Sequence, residues 1–259
     1  MPAAISRKLK MPFVAFLFFI TLTSFPMPIQ ASTAWEEMLQ DFERIGTSPI
    51  RIGPSDVIYL LPMGGAGYWL TTQDLAIAQN IRKEQNSTLD TLAGIGNTFG
   101  DGYVGLSAMA LLMTFGGEHD QRVGKSGVLA FLEAGVVTQV FKNLTGRLRP
   151  SASPNDSNQW LGPRLGSLAF PSGHVVTATA FSVVLANAYS WGWVFYAVPP
   201  LVGWARMYTD AHWASDVFFG FLVGWGVASL QAPRVQSFSS LKIGMNRYGT
   251  PEIAWRWRI

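Results

Sequence analysis

The chain has no cysteine among its 259 residues. That excludes a disulfide scaffold, a thiolate zinc site and a cysteine nucleophile. Charge is scarce: charged residues make up 14% of the chain against 49% hydrophobic ones, a balance that excludes a disordered tail. Long hydrophobic runs are lacking as well, since each apolar stretch falls short of the roughly 20 residues a spanning helix needs. The basic excess, 19 Lys and Arg against 16 Asp and Glu, comes entirely from Arg7, Lys8 and Lys10 in a segment without acids. Beyond Ala31 the charges balance, and with no basic run or nucleic-acid motif the chain is not a nucleic-acid binder.

What the chain does have is 26 Gly, 15 Pro, 10 Trp and 17 Phe, a composition of close-packed elements joined by sharp turns. Residues 1–31 read as a secretory signal: a basic start, an apolar run from Met11 to Phe25, and a turn-prone stretch with cleavage expected after Ala31. A helical domain is expected over 32–235 and a separate tail over 236–259. Apolar stretches near Val57–Leu70, Gly102–Phe115, Gly127–Phe141, Val175–Tyr189 and Val217–Leu230, with a sixth from Trp193 to Ala205 broken by Pro199-Pro200, lack the alternation of strands. The fold class is therefore all-α, a bundle of about six core helices. Trp35, Met38, Leu39 and Phe42 lie on one face of a short helix before it, with packing as their expected role. The tail alternates around Tyr248-Gly249-Thr250 and reads as a β-hairpin or an amphipathic tail.

Hydropathy alone leaves the relation to a membrane open. Leu165 to Ala205 contains no Asp, Glu, Lys or Arg, yet Glu133 interrupts another stretch and no basic residue marks the Ser190-Trp191-Gly192 connection. Trp191, Trp193, Trp204 and Trp213 read equally as an interfacial belt or as core aromatics. An exported domain, soluble or membrane-associated, is the preferred reading, ahead of an integral one.

Only three histidines are present, and two fall in polar clusters. Phe170-Pro171-Ser172-Gly173-His174 opens the helix at Val175, where unpartnered backbone N–H groups and the helix dipole suit an anion. Alone, that turn is also an ordinary N-cap. In Arg206-Met207-Tyr208-Thr209-Asp210-Ala211-His212-Trp213-Ala214-Ser215-Asp216, His212 and Asp216 are four apart. A carboxylate at that spacing orients an imidazole and leaves its other nitrogen free. The third cluster, Lys142-Asn143-Leu144-Thr145-Gly146-Arg147-Leu148-Arg149-Pro150, ends an apolar stretch. From Phe141 to Arg206 five basic residues, Lys142, Arg147, Arg149, Arg164 and Arg206, face one acid, Asp156. Crowded cations call for an anion, and phosphate matches guanidinium forks best. The Ser151–Phe170 loop between clusters is long enough to be functional.

Together the clusters resemble the tripartite signature of the type 2 phosphatidic acid phosphatase and vanadium-haloperoxidase superfamily: Lys, six residues, Arg-Pro; then Pro-Ser-Gly-His; then Ser-Arg, five residues, His, three residues, Asp. The matching positions are Lys142, Arg149-Pro150, Pro171 to His174, Arg206, His212 and Asp216. Ala205 departs from the pattern by replacing its serine. The resemblance covers about Val57 to Leu230. It implies a phosphatase with His212 as nucleophile, Asp216 holding its ring, and His174 protonating the leaving alcohol and then activating water. It also implies that Lys142, Arg149, Arg206, Ser172 and the Gly173 N–H bind the phosphoryl oxygens. Arg147 and Arg164 are open between site contacts and solvated loop charges, and His119 reads as a surface-loop residue.

The expected activity is metal-independent hydrolysis of a phosphomonoester or lipid (di)phosphate, with no cofactor and no metal. The partner is then a phosphorylated lipid or small ester, with membrane association. A haloperoxidase holding vanadate in the same pocket, a metallohydrolase using His174, His212 and Asp216, and a non-catalytic envelope protein retaining the fold are the alternatives. Three fixed cations argue against the metallohydrolase, because they repel a divalent ion.

Overall fold

The structure is a computed structural model that describes residues 31–166, 168–236, 241–245 and 251–255. The expected signal segment lies outside the described residues, apart from its last residue, Ala31. The chain divides into two compact units, Met1–Leu39 and Gln40–Ile259.

The α-helices are α1 (Ala31–Thr47), α2 (Pro54–Lys83), α3 (Ser87–Phe99), α4 (Gly102–Phe115), α5 (Glu118–Thr145), α6 (Gly173–Ala188), α7 (Val198–Tyr208), α8 (Ala214–Ala228) and the single turn α9 (Ala232–Val235). The larger unit is thus a helical bundle. Two short strands follow, β1 (Leu241–Met245) and β2 (Pro251–Trp255), paired antiparallel with Ile243 opposite Ile253. That is the hairpin form of the tail.

Three elements differ from the sequence expectation. The first stretch does not stop at Leu70: α2 continues through Thr71, Thr72, Gln73 and Asp74 to Lys83, because Asp74 has buried partners in place of solvent. A seventh helix in the bundle, α3, is additional to the six expected. Its apolar residues are diluted by Gly94, Gly96 and three threonines, but Asn86 caps it by accepting from Thr88 N and Leu89 N at 3.1 Å each, an ordinary helix-start signal. Pro199 and Pro200 do not break the sixth stretch in its middle. A 3₁₀ turn, Gly192–Ala197, precedes them, and both fall in the first turn of α7, where a missing N–H costs nothing.

In α1, Trp35 and Leu39 are exposed rather than packed. The four tryptophans also separate: Trp191 and Trp193 are exposed, Trp204 is half-buried and Trp213 is buried.

The core centres on α6, whose residues Val175, Val176, Ala178, Ala180, Phe181, Val183 and Val184 are all buried. It packs against α5, α7 and α8. Gly220 and Gly224 set the distance to α8: a Cβ on Gly224 would lie 2.5 Å from Val176 O, and one on Gly220 would lie 3.0 Å from Ser172 O. Two helices approaching this closely bring their N-termini together. Those N-termini carry the second and third polar clusters.

A buried polar knot lies away from those clusters. Gln231 Nε2 donates to Asp41 Oδ2 (2.9 Å) and to both oxygens of Glu133 (3.0 Å each), and Arg234 pairs with Asp41 at 2.6 Å. Burial pushes Glu133 up to about 8, with the Gln231 hydrogen bond opposing and the Asp41 charge adding. The folded state then holds a proton that the unfolded chain releases near 4.5. Stability contributed here is present below that pH and is lost as pH rises toward about 8. Glu133→Gln should flatten that loss: between pH 5 and pH 8 its melting temperature should fall by several degrees less than that of the wild type, read by differential scanning calorimetry.

Candidate active site

Each polar cluster sits at the end of a helix. Gly146 stops α5 in the left-handed region, φ 61°, with its N–H donating to Lys142 O. A side chain there would collide with the Gly162 backbone, so glycine is required for the turn and for the approach of the loop. Lys142, in the last turn of α5, donates from Nζ to Leu168 O at 2.7 Å and to Ala169 O at 3.4 Å. Ser172 occupies the N-cap position of α6; its N–H donates to Asp216 O at 3.0 Å, and its buried Oγ has no hydrogen-bond partner among the described residues. At the end of α7, Arg206 donates from NH1 to Asn97 Oδ1 on α3 at 2.9 Å. The chain then turns through Asp210, at φ 51°, where Arg82 grips the carboxylate at 2.9 and 3.1 Å.

That turn delivers His212 to the entrance of α8, with its own N–H donating to Arg206 O at 3.2 Å. Asp216 accepts from Trp213 N at Oδ2 (2.8 Å), and the same oxygen stands 3.7 Å from His212 Nδ1. This is an electrostatic contact, longer than a hydrogen bond. His212 and Asp216 are both buried.

The structure brings Lys142, Arg149, Ser172, Gly173, His174, Arg206, His212 and Asp216 into one region. A Cβ on Gly173 would lie 4.0 Å from Lys142 Cε, and the charges of Lys142, Arg149 and Arg206 all act on His174. Burial, and then the Arg149 charge, lowers Lys142 to about 8. Burial and Arg149 lower Arg206 to about 10, and burial lowers Arg149. His174 falls to about 4 through burial and the Arg206 charge. Burial also takes His212 to about 4 against the pull of Asp216. Burial works to raise Asp216, but facing His212 and Arg147 holds it below the usual carboxylate range. Near neutral pH this leaves two neutral imidazoles among three cations whose own charge is strained by mutual repulsion, an arrangement that a bound oxyanion relieves.

Arg147 and Arg164 part company. Arg164 is exposed, whereas Arg147 is fully buried. Its NH1 donates to Asp216 Oδ1 (2.6 Å) and Ser215 Oγ (2.7 Å), and its NH2 donates to Asp74 Oδ2 (2.6 Å) and Ser157 O (2.9 Å). The Trp160 ring covers it at 4.4 Å and fastens the Ser151–Phe170 loop to the site.

Asp74, Ser215 and Asn97 are site neighbours that the sequence reading passed over. Asp74 left a signal, being the only charged residue between Asp56 and Arg82. Asn97 left none. His119 lies in the first turn of α5, half-buried, with Nε2 3.0 Å from Ala188 O, and not in a surface loop. Among the described residues, no three His, Asp or Glu side chains come together as a metal-binding group. Also among them, no helix is long and apolar enough to cross a membrane.

Residues 126–237 match the family described as the PAP2 superfamily. The chain is 29% identical, over 164 residues, to the undecaprenyl-diphosphatase of Sulfolobus acidocaldarius, a match covering 62% of this chain and 78% of that protein. Its fold is similar to that of the first transmembrane PAP2 type phosphatidylglycerolphosphate phosphatase from Bacillus subtilis, with a TM-score of 0.53 at 20% identity over 67% of this chain and 90% of that one.

Proposed function

We propose that this chain, which resembles the PAP2 superfamily over residues 126–237, is a phosphoric ester hydrolase that removes phosphate from a phosphorylated or diphosphorylated lipid through a phosphohistidine and without a metal. The observation that carries this reading is the convergence of Lys142, Arg149 and Arg206 on two neutral imidazoles at a helix N-terminus. The three cations, the Ser172 hydroxyl and the Gly173 N–H hold the phosphoryl oxygens and offset the charge that spreads over them in the transition state.

His212 attacks phosphorus through Nε2 while Asp216 steadies Nδ1. As the N–P bond forms, the P–O bond to the leaving oxygen breaks, that of the alcohol in a monophosphate or of the lipid phosphate in a diphosphate, and protonated His174 gives its proton to the departing oxygen. The dianion bound beside His174 restores the basicity that burial takes away, so the ring is protonated when substrate is present. His174, now neutral, takes a proton from water. The hydroxide attacks phosphorus, the N–P bond breaks, and inorganic phosphate and free His212 result.

A lipid substrate is supported by two features. One is the diphosphatase relative. The other is the apolar side chains that α2 and α4 expose, among them Ile58, Leu61, Tyr68, Trp69, Tyr103, Leu111 and Phe115, a surface suited to lipid. We propose further that the protein works at the cell envelope, exported on the signal read in residues 1–31 and associated with the membrane, with its site on the outer side.

Purified protein assayed in detergent with a strong chelator should hydrolyse an isoprenyl diphosphate or phosphatidate. Activity lost on chelation and restored by a divalent ion would overturn the metal-free mechanism.

Lys142 gives a pH dependence of known sign. Its charge is lost as pH rises through about 8 in the free enzyme, so competitive inhibition by inorganic phosphate should weaken several-fold between pH 7 and pH 9.5. In Lys142→Met the inhibition should be weaker throughout and should lose that component of the pH dependence.

A further inference from the structure

Asp74 lies on α2, outside the three motifs and outside the matched segment 126–237, yet it is fully buried. Its Oδ1 accepts from the Ser215 N–H at 2.8 Å. Its Oδ2 accepts from Ser215 Oγ at 2.5 Å and from Arg147 NH2 at 2.6 Å. Burial holds the Asp74 carboxyl above its usual range, against the pull of the Arg147 charge and the Ser215 hydrogen bonds, yet every one of these bonds is donated to Asp74, so the geometry suits the carboxylate. Arg147 carries the contact onward to Asp216 Oδ1 at 2.6 Å, and the other oxygen of Asp216 faces His212. A single buried guanidinium therefore stands between two buried carboxylates.

We propose that Asp74 is a positioning residue for the His212 reaction: by sharing the Arg147 charge, it leaves the negative charge of Asp216 available to the imidazole. This rests on the phosphohistidine reading above. Without Asp74, Arg147 and Asp216 form a neutral pair, and His212 faces little net negative charge. With it, the Asp74–Arg147–Asp216 group carries one net negative charge. That charge sits behind a ring that becomes cationic on phosphorylation, amid cations that oppose the change. The groups facing His212 are Asp216 on α8, Lys142 on α5 and Arg206 on α7. Asp216 in turn faces Arg147 and acts on Lys142 and Arg149. Among the described residues, Asp74 is the only acid beyond Asp216 in hydrogen-bond contact with Arg147.

The test is Asp74→Asn, which keeps the shape and removes the charge. With three histidines in the chain, ¹⁵N-histidine NMR follows the His212 titration directly and independently of turnover. Burial holds the His212 midpoint well below neutral pH in the wild type, and since burial also raises Asp74 toward that range, the midpoint should fall further by up to about one unit. That is the order expected for a unit charge lost nearby at an effective dielectric constant near 20. In parallel, kcat should fall about 10- to 100-fold with KM within about two-fold.

A folded variant with reduced kcat and an unmoved His212 titration overturns the proposal, since loss of structure alone would do that. Asp74→Ser, small enough to admit a water to the orphaned donors, repeats the measurement if the asparagine variant does not fold. Failure of both to fold makes Asp74 purely structural and also overturns it. A wild type inactive on every ester would sink the phosphatase reading, while the NMR shift would still decide the electrostatic link.

Discussion

His212→Ala is expected to abolish turnover to the limit of detection. No other nucleophile among the described residues combines burial, a neutral state near pH 7 and a facing carboxylate, and a missing nucleophile cannot be replaced by the cations that hold the phosphate. His174→Ala should behave differently, because its task depends on the leaving group. An alkyl phosphate needs its alkoxide protonated and should lose roughly 10²–10⁴ in kcat, within the range for general acid catalysis. An aryl phosphate, whose phenoxide departs unaided, should lose much less in the first step and should accumulate phosphoenzyme. Steady-state rates on a matched alkyl and aryl pair measure this contrast, and equal losses on both would remove His174 from the proton transfer.

Arg147→Met is expected to have the second large effect, on stability first. The guanidinium is fully buried and satisfies Asp74 and Asp216 at 2.6 Å each. Its removal leaves two buried carboxylates without their counter-charge, and breaking a buried pair in this way costs about 3–5 kcal/mol. For a domain of this size that is about 6–20 °C in melting temperature. Arg147→Lys should recover little, since an ammonium lacks the fork that reaches both acids and the Ser157 carbonyl. Arg164→Ala, on the exposed part of the same loop, should change melting by less than about 2 °C. Thermal melts of the three variants separate two arginines that the sequence left on equal terms.

That separation marks where the sequence was informative. The three motifs are short and local, and their spacing already implied a cationic site with two histidines. Gly146 and Ser172 are ordinary helix-end residues, but the apolar stretches alone put the ends at Phe141, Val175 and Val217, a few residues inside the observed helices. The bundle class was legible from the apolar stretches, while α3 was missed because Gly94, Gly96 and its threonines dilute its apolar face.

What could not be read was long-range pairing. Arg147 and Asp74 are 73 positions apart, and Arg206 and Asn97 are 109 apart, so nothing local in either pair names its partner. Gly220 and Gly224 likewise read as ordinary helix glycines until α6 is laid against them. A lone acid in an apolar helix, as at Asp74, is the residue type whose burial demands a partner. Glu133, the acid that interrupts another apolar stretch, is a second such case, paired with Gln231 98 positions away.

The central claim is a covalent intermediate on His212, and trapping it is the most direct measurement. Enzyme mixed with ³²P-labelled substrate, quenched in the millisecond range and digested at alkaline pH, should yield an acid-labile label on the peptide carrying His212. The label should be absent from His212→Ala and increased in His174→Ala with an aryl phosphate. Label on the peptide carrying His174, or product formed at full rate with no labelled protein at any quench time in either the wild type or His174→Ala, would contradict it.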